Sequence, residues 1–294
     1  MEFGTHEGKM GFILFLSLFI LLEAGLLIWI RKTAYPWAEA FASIGVALLK
    51  RIVDLITAGI AATFLFWVYE HRLLTIEIDS IWMGALLFLA VEFFYYWHHR
   101  FGHEMRWLWA THGVHHTANH MNLSVAGRLG FTGLISGSVL FFAPLALAGF
   151  HPVGIFLVLA LGLFYQIWIH NEWIGKLGFL EKILNTPSNH RVHHGSNPEY
   201  LDKNYGGVLI VFDILFGTYQ EERDDIAIRY GTVKPVTTHN PLKIALFDWM
   251  AMARDVASAG SIKNALGHMF RHPGWQPTDH KLDGKQLDRS EEIA

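Results

Sequence analysis

The sequence contains no cysteine. That single absence removes disulfides, thiolate-ligated haem, iron–sulfur clusters and cysteine zinc sites, and leaves the redox compartment open. Charge is sparse as well. Only 17% of residues are Asp, Glu, Lys or Arg, and the net charge is −3 with histidine neutral, which gives no reason to expect a nucleic-acid partner. No Glu-x-x-His pair occurs, so the carboxylate-rich di-iron pattern of ferritin-like bundles is missing. His103-Glu104 begins an H-E-x-x-H zinc motif, but Trp107 stands where its second histidine belongs.

What remains is apolar chain and histidine. Hydrophobic residues make up 52% of the 294 and aromatics 14%, with a mean hydropathy of +0.28. These values lean toward a membrane protein. Five apolar segments, at 11–30, 52–69, 81–97, 131–149 and 153–169, approach the ~20 residues that cross a bilayer as a helix. His151-Pro152 joins the last two into a hairpin that enters the membrane. The first segment lacks a basic start and a small-residue cleavage site, so it does not read as a cleavable signal peptide.

The expected fold class is therefore all-α, a polytopic helical membrane protein with a cytoplasmic helical domain. Its divisions are transmembrane helices over 1–97, a histidine-bearing domain over 98–222 that includes the hairpin 131–169, and a C-terminal cytoplasmic segment over 223–294. That last segment holds an amphipathic helix near 241–257, lying on the membrane surface or packed on the domain, and a loose tail. Arg31, Lys32, Lys50 and Arg51 mark the first loop as cytoplasmic by the positive-inside rule. Counting spans from there puts every histidine cluster on the cytoplasmic face of an integral membrane protein, in a bacterial inner membrane or the endoplasmic reticulum.

Histidine is over-supplied, with 18 copies. "HHRFGH" at 98–103, "THGVHH" at 111–116 and "NHRVHH" at 189–194 concentrate them. Residues three and four apart share a helix face. His99 pairs with His103, His112 groups with His115 and His116, and His190 groups with His193 and His194. His170 stands alone at the end of the fifth span, one turn after Gln166. Nine such imidazoles exceed what one ion uses, since a tetrahedral zinc takes ~4 ligands, so the count predicts a dimetal site. Imidazole suits iron, zinc, copper or nickel alike. His98 lies about 100° off the His99–His103 stripe and is expected to face solvent or lipid headgroups. His151 reads as a turn residue, His120 as structural, and His71, His239, His268 and His272 as surface. Glu92 falls within about 20° of the His99–His103 face. It is a candidate to hold an imidazole N–H, or else to make an interhelical hydrogen bond.

These boxes resemble the fatty acid hydroxylase (sterol desaturase) superfamily of membrane di-iron oxygenases. They read HRFGH at 99–103, HGVHH at 112–116, QIWIH at 166–170 and HRVHH at 190–194, with Gln166 in place of the family's first histidine in the third box. Around them, "FYYWHHRFGHE", "HHTANHMNLSVAGR" and "NTPSNHRVHHGSNPEYLDKNYGG" are similar to the alkylglycerol monooxygenase branch, over about 92–222. The resemblance implies a helical membrane enzyme that uses two iron ions and O2 to hydroxylate or desaturate a lipid substrate within the bilayer. The branch implies oxidation beside an ether oxygen, collapse of the hemiacetal to an aldehyde and a glycerol derivative, and tetrahydrobiopterin as reductant. An electron-transfer protein is the other source of electrons. Family position also singles out Asn204 and Asp213, where a carboxylate could accept an imidazole N–H. The alternatives are a sterol or fatty-acyl hydroxylase or desaturase of the same superfamily, a membrane zinc hydrolase, and a non-enzymatic metal carrier.

Overall fold

The computed structural model describes residues 18–30 and 32–277. The first apolar segment is thus described only from Leu18, and the C-terminal tail only to Pro277. The described residues contain helices and two isolated β-bridges, Ile76 with Phe150 and Leu184 with Leu209, but no strand. Eleven helical segments follow in order among these residues: α1 (Leu18–Trp29, which winds as a π-helix over Leu26–Ile30), α2 (Trp37–Glu70), α3 (Ile81–Glu104), α4 (Arg106–His116), α5 (Gly133–Ser136), α6 (Ala143–Ala148), α7 (Pro152–Ile169), α8 (Pro187–His193), α9 (Val211–Phe216), α10 (Pro241–Ala257) and α11 (Ile262–Phe270).

Three of them, α2, α3 and α7, are long and apolar enough to cross a membrane. The segment expected to span at 131–149 does not form one helix. Gly137 adopts a left-handed φ of 78°, Ser138–Phe142 winds as a 3₁₀ turn, and Pro144 restarts the chain as α6. At its end Gly149 has φ 125°, and a Cβ there would fall 2.3 Å from the Leu74 carbonyl oxygen. Only the second arm of the expected hairpin, α7, has spanning length. The segment at 52–69 is the second half of α2, whose 34 residues extend roughly 51 Å at 1.5 Å each. That exceeds the ~30 Å hydrocarbon core. The excess at the N-terminal end buries Ala42 and Val46 against Val114 of α4, Ile244 of α10 and Val236 of the chain before it.

A separate apolar core joins the spans. Leu65 and Val68 of α2, Leu87 and Val91 of α3, Leu145 and Ala146 of α6 and Ile155 of α7 pack together with Phe142 and Phe150. Side chains that accept backbone N–H groups fix where helices begin: Ser80 for α3, His151 for α7, Thr186 for α8, Asn240 for α10 and Ser261 for α11. Proline occupies the first turn of α7, α8 and α10, where its missing N–H costs nothing. His151 is thus the turn residue expected of it. The histidines sit where α3 and α7 end and α2 begins, at one end of the spanning bundle.

Helix α10 has the expected bounds and packs on α4, α2 and α11 rather than standing apart. Asp248 of α10 lies against α4. Burial pushes its carboxyl up to about 6, opposed by the Arg106 charge and a hydrogen bond from Trp109. The folded chain therefore holds this proton where the unfolded chain has lost it. The resulting penalty is full above the folded value and vanishes as pH falls toward the unfolded value near ~4. Asp248→Asn should accordingly unfold at a higher temperature than the parent at about pH 8, with the difference fading below about pH 5. Thermal unfolding in detergent at several pH values measures this, and a variant less stable at pH 8 contradicts it.

Candidate metal centre

The structure brings all nine singled-out imidazoles together, in two groups. His99, His103, His112, His116 and His193 form one; His115, His170, His190 and His194 form the other. Within each group the ring nitrogens lie within 4.8 Å of one another, close enough to hold a metal ion. Helix geometry explains the division. Side chains four apart, His99 with His103, His112 with His116 and His190 with His194, stay on one face and in one group. The adjacent pairs His115–His116 and His193–His194 diverge by ~100° and split between the groups. Helices α4 and α8 therefore serve both.

In the four-histidine group the Nε2 atoms close a ring: His115 to His170 is 3.1 Å, His170 to His190 2.9 Å, His190 to His194 3.2 Å and His194 to His115 3.1 Å. In the other, His112 Nε2 lies 3.0 Å from His99 Nε2 and 3.1 Å from His116 Nε2. A ring nitrogen donates or accepts but cannot do both. The same spacing is that of neighbouring ligands at right angles on an ion ~2.1 Å away, which stand ~3.0 Å apart. His103 Nε2 and His193 Nε2 are buried with no partner at all.

The outward nitrogens fix the tautomers. His99 Nδ1 lies 2.6 Å from the Tyr205 carbonyl oxygen, His170 Nδ1 2.6 Å from that of Gln166, and His193 Nδ1 3.0 Å from that of Lys203. A carbonyl only accepts, so each Nδ1 carries the proton and each Nε2 presents its lone pair inward. Burial, reinforced by neighbouring imidazoles, holds His112, His115, His116, His190, His193 and His194 well below the usual histidine range. All are uncharged near neutral pH, the form that binds metal.

The three polar residues expected to hold imidazoles do something else. Glu92 Oε2 accepts from the backbone N–H groups of Val208 and Leu209, both at 2.8 Å. It is a clamp between α3 and the loop after α8, nearer the interhelical alternative than the imidazole one. Asp213 accepts from Tyr205 N at 2.7 Å and Gly206 N at 2.8 Å, and from the Thr218 hydroxyl at 2.6 Å. Its reach to His99 runs through the peptide whose carbonyl accepts that ring's proton. Asn204 adopts a left-handed φ of 57° and donates to the carbonyls of Asn189 and Gln220. Glycine is required beside them: a Cβ on Gly206 would fall 2.1 Å from the Leu209 carbonyl oxygen, and one on Gly207 2.9 Å from the Tyr95 ring.

Other placements differ from expectation. His98 belongs to neither group, as its angle off the stripe indicates, and is half-buried with its ring on Phe141 and Phe142. His120 pairs with Glu39 at 2.7 Å, a structural role as expected. His268 is buried beside Trp275 rather than on the surface. Gln166 spends its side chain on the Tyr95 hydroxyl and the Gly162 carbonyl. Residues with no spacing to announce them also matter. Trp109 stacks on His116 with ring centroids 5.5 Å apart, and Asp202 lies 3.7 Å from His103 Nδ1.

A helical chain with spanning helices and two all-histidine groups at one end of them is a membrane-type metalloprotein. Comparison with known proteins carries this further. Residues 84–218 match the fatty acid hydroxylase family. It is similar to alkylglycerol monooxygenase of Homo sapiens, 39% identical over 86% of this chain and 57% of that protein, and of Danio rerio, 38% over 82% and 53%. An ornithine lipid hydroxylase of Rhizobium tropici is 33% identical over 45% of this chain and 40% of its own length. The chain thus spans little more than half the length of the alkylglycerol monooxygenases it matches. No solved structure matches.

Alanine at any of the nine positions should weaken metal retention by ~10–100-fold or more, while His98→Ala retains it, as read by metal content after dialysis. Asp213→Ala, which frees the 205–206 peptide, should fall in the same ~10–100-fold range. Full retention in several of the nine variants contradicts the assignment.

Proposed function

We propose that this chain is a membrane di-iron oxygenase that hydroxylates a lipid C–H bond with O2, and that its substrate is an ether lipid of the alkylglycerol class. The observation that carries the reading is the division of nine imidazoles into groups of five and four, with no carboxylate in either. A zinc hydrolase holds its ion with ~3 protein ligands and leaves one position for water. Five and four imidazoles exceed that on both sides, and neither group contains a carboxylate to serve as its base. The names of the relatives, alkylglycerol monooxygenase and ornithine lipid hydroxylase, support lipid oxidation.

In this reading His99, His103, His112, His116 and His193 hold one iron, and His115, His170, His190 and His194 the other. Bound iron supplies the redox chemistry with O2 that no side chain of this protein can provide. The chain's own residues do the rest. Carbonyls of Gln166, Lys203 and Tyr205 keep protons on Nδ1 and lone pairs on Nε2. Burial of eight of the nine rings, with His112 half-buried, keeps bulk water from the centre. The position at the ends of α3 and α7 brings it near the boundary between headgroups and acyl chains, where an ether carbon lies. The basic residues Arg31 and Lys32 before α2, and Lys50 and Arg51 within it, favour the cytoplasmic side for that end, where tetrahydrobiopterin or an electron-transfer protein can deliver electrons.

Protein purified in detergent should carry about two irons per chain, whereas about one zinc would support the hydrolase. Supplied with an alkylglycerol, O2 and a reduced pterin, it should release fatty aldehyde. A hydroxylated chain with the ether intact would retain the oxygenase and remove ether cleavage. Turnover without O2 would remove both.

A further inference from the structure

We propose that Arg128 anchors a binding site for an anionic oxygen group, a carboxylate or phosphate, beside the four-histidine group. Arg128 is 1% exposed, one of the largest fully buried side chains. Its Nε and Nη1 are buried and have no hydrogen-bond partner. A guanidinium has five donors and no acceptor, and a buried charge left unpaired is strongly unfavourable. The carboxylate whose charge bears on it is that of Glu39. That carboxylate is already committed: Oε1 accepts from Asn119 N and Nδ2, and Oε2 pairs with His120.

The surroundings hold further donors beside one more buried carboxylate, Glu23, whose Oε2 accepts from Leu123 N at 2.9 Å and from the Tyr35 hydroxyl at 3.2 Å. Arg128 closes a 3₁₀ turn, Leu123–Gly127, whose other cap is Asn122. Asn122 is also buried, and its Nδ2 has no partner, while its Oδ1 accepts from Ser124 N, Ser124 Oγ and the Tyr35 hydroxyl. Both ends of the turn thus hold unsatisfied buried donors. The turn packs on α2 and α7, and the Arg128 carbonyl lies alongside His115 of the four-histidine group. The planar fork of an arginine matches two oxygens of a carboxylate or phosphate at once. The anion is either the head of a lipid whose chain extends toward the histidines or a free ion from water. The site stands whichever metal the imidazoles hold.

The bland alternative is a structural ion pair with Glu39, bridged by water. The two differ in sign. If Arg128 serves a ligand, Arg128→Met removes an unpaired buried charge, and the ligand-free protein unfolds at the same or a higher temperature. If it serves Glu39, the variant unfolds several degrees lower. The measurement is thermal unfolding of the protein in neutral detergent with inorganic phosphate, oleate, lysophosphatidate or uncharged methyl oleate. A few degrees of protection of the parent is expected at ~100-fold excess over Kd, with none in Arg128→Met. Arg128→Lys, which keeps the charge and loses the fork, should need about tenfold more ligand. Protection by phosphate as well as by the lipids identifies a free-anion site; protection by oleate or lysophosphatidate alone identifies a headgroup site. Lack of protection of the parent by all three anions overturns the proposal. So does equal protection by methyl oleate, or a destabilised Arg128→Met that responds as the parent does.

Discussion

Nine uncharged imidazoles held within touching distance of one another need somewhere to put their protons, and much of the surrounding structure follows from that need. A neutral ring has one N–H. If it points inward it meets another ring's nitrogen, and the lone pair that could hold an ion is lost. For His99, His170 and His193 the chain resolves this with backbone carbonyls on the outer side of the cluster. Two of them, of Lys203 and Tyr205, come from one loop after α8, and that loop has no regular structure of its own to hold it in place.

The loop is held from three directions instead. Asn204 ties it to α8 and to Gln220, Asp213 grips the amides of Tyr205 and Gly206, and Glu92 reaches out of α3 to Val208 and Leu209. Each is a carboxylate or amide buried at a cost that only full hydrogen bonding offsets. The polar residues near the cluster therefore act on it at one remove, through peptide groups. Substituting one of them shifts ring orientation rather than deleting a ligand.

The four-residue spacing of the histidines was legible in the sequence as a shared helix face, whereas the three-apart pairs His112–His115 and His190–His193 divide between the two groups. Glu92 was legible in the same way as a residue on that face. Its partners were not, since they lie 116 and 117 positions away on backbone N–H groups that every residue carries. The carbonyls of Gln166, Lys203 and Tyr205 escaped notice for the same reason. Hydropathy counted apolar residues over 131–149 correctly but could not weigh the turn at Gly137 against the run of Val, Leu and Phe around it. His98 was placed by angle alone, and the Phe141 and Phe142 rings that cover it come from that same misread stretch. Arg128 sits in an unremarkable polar phrase, and only burial without a partner distinguishes it.

The split of His115–His116 and His193–His194 between the groups has a consequence for assembly. Neighbouring residues are joined by one peptide unit, so α4 and α8 each carry the two groups on a common rigid body. Rotating either helix to improve the fit on one side withdraws a nitrogen from the other. The two positions are thus geared together: whichever ion arrives first sets the helix angles that the second must accept. Occupancy of one group therefore bears directly on the fit of the other.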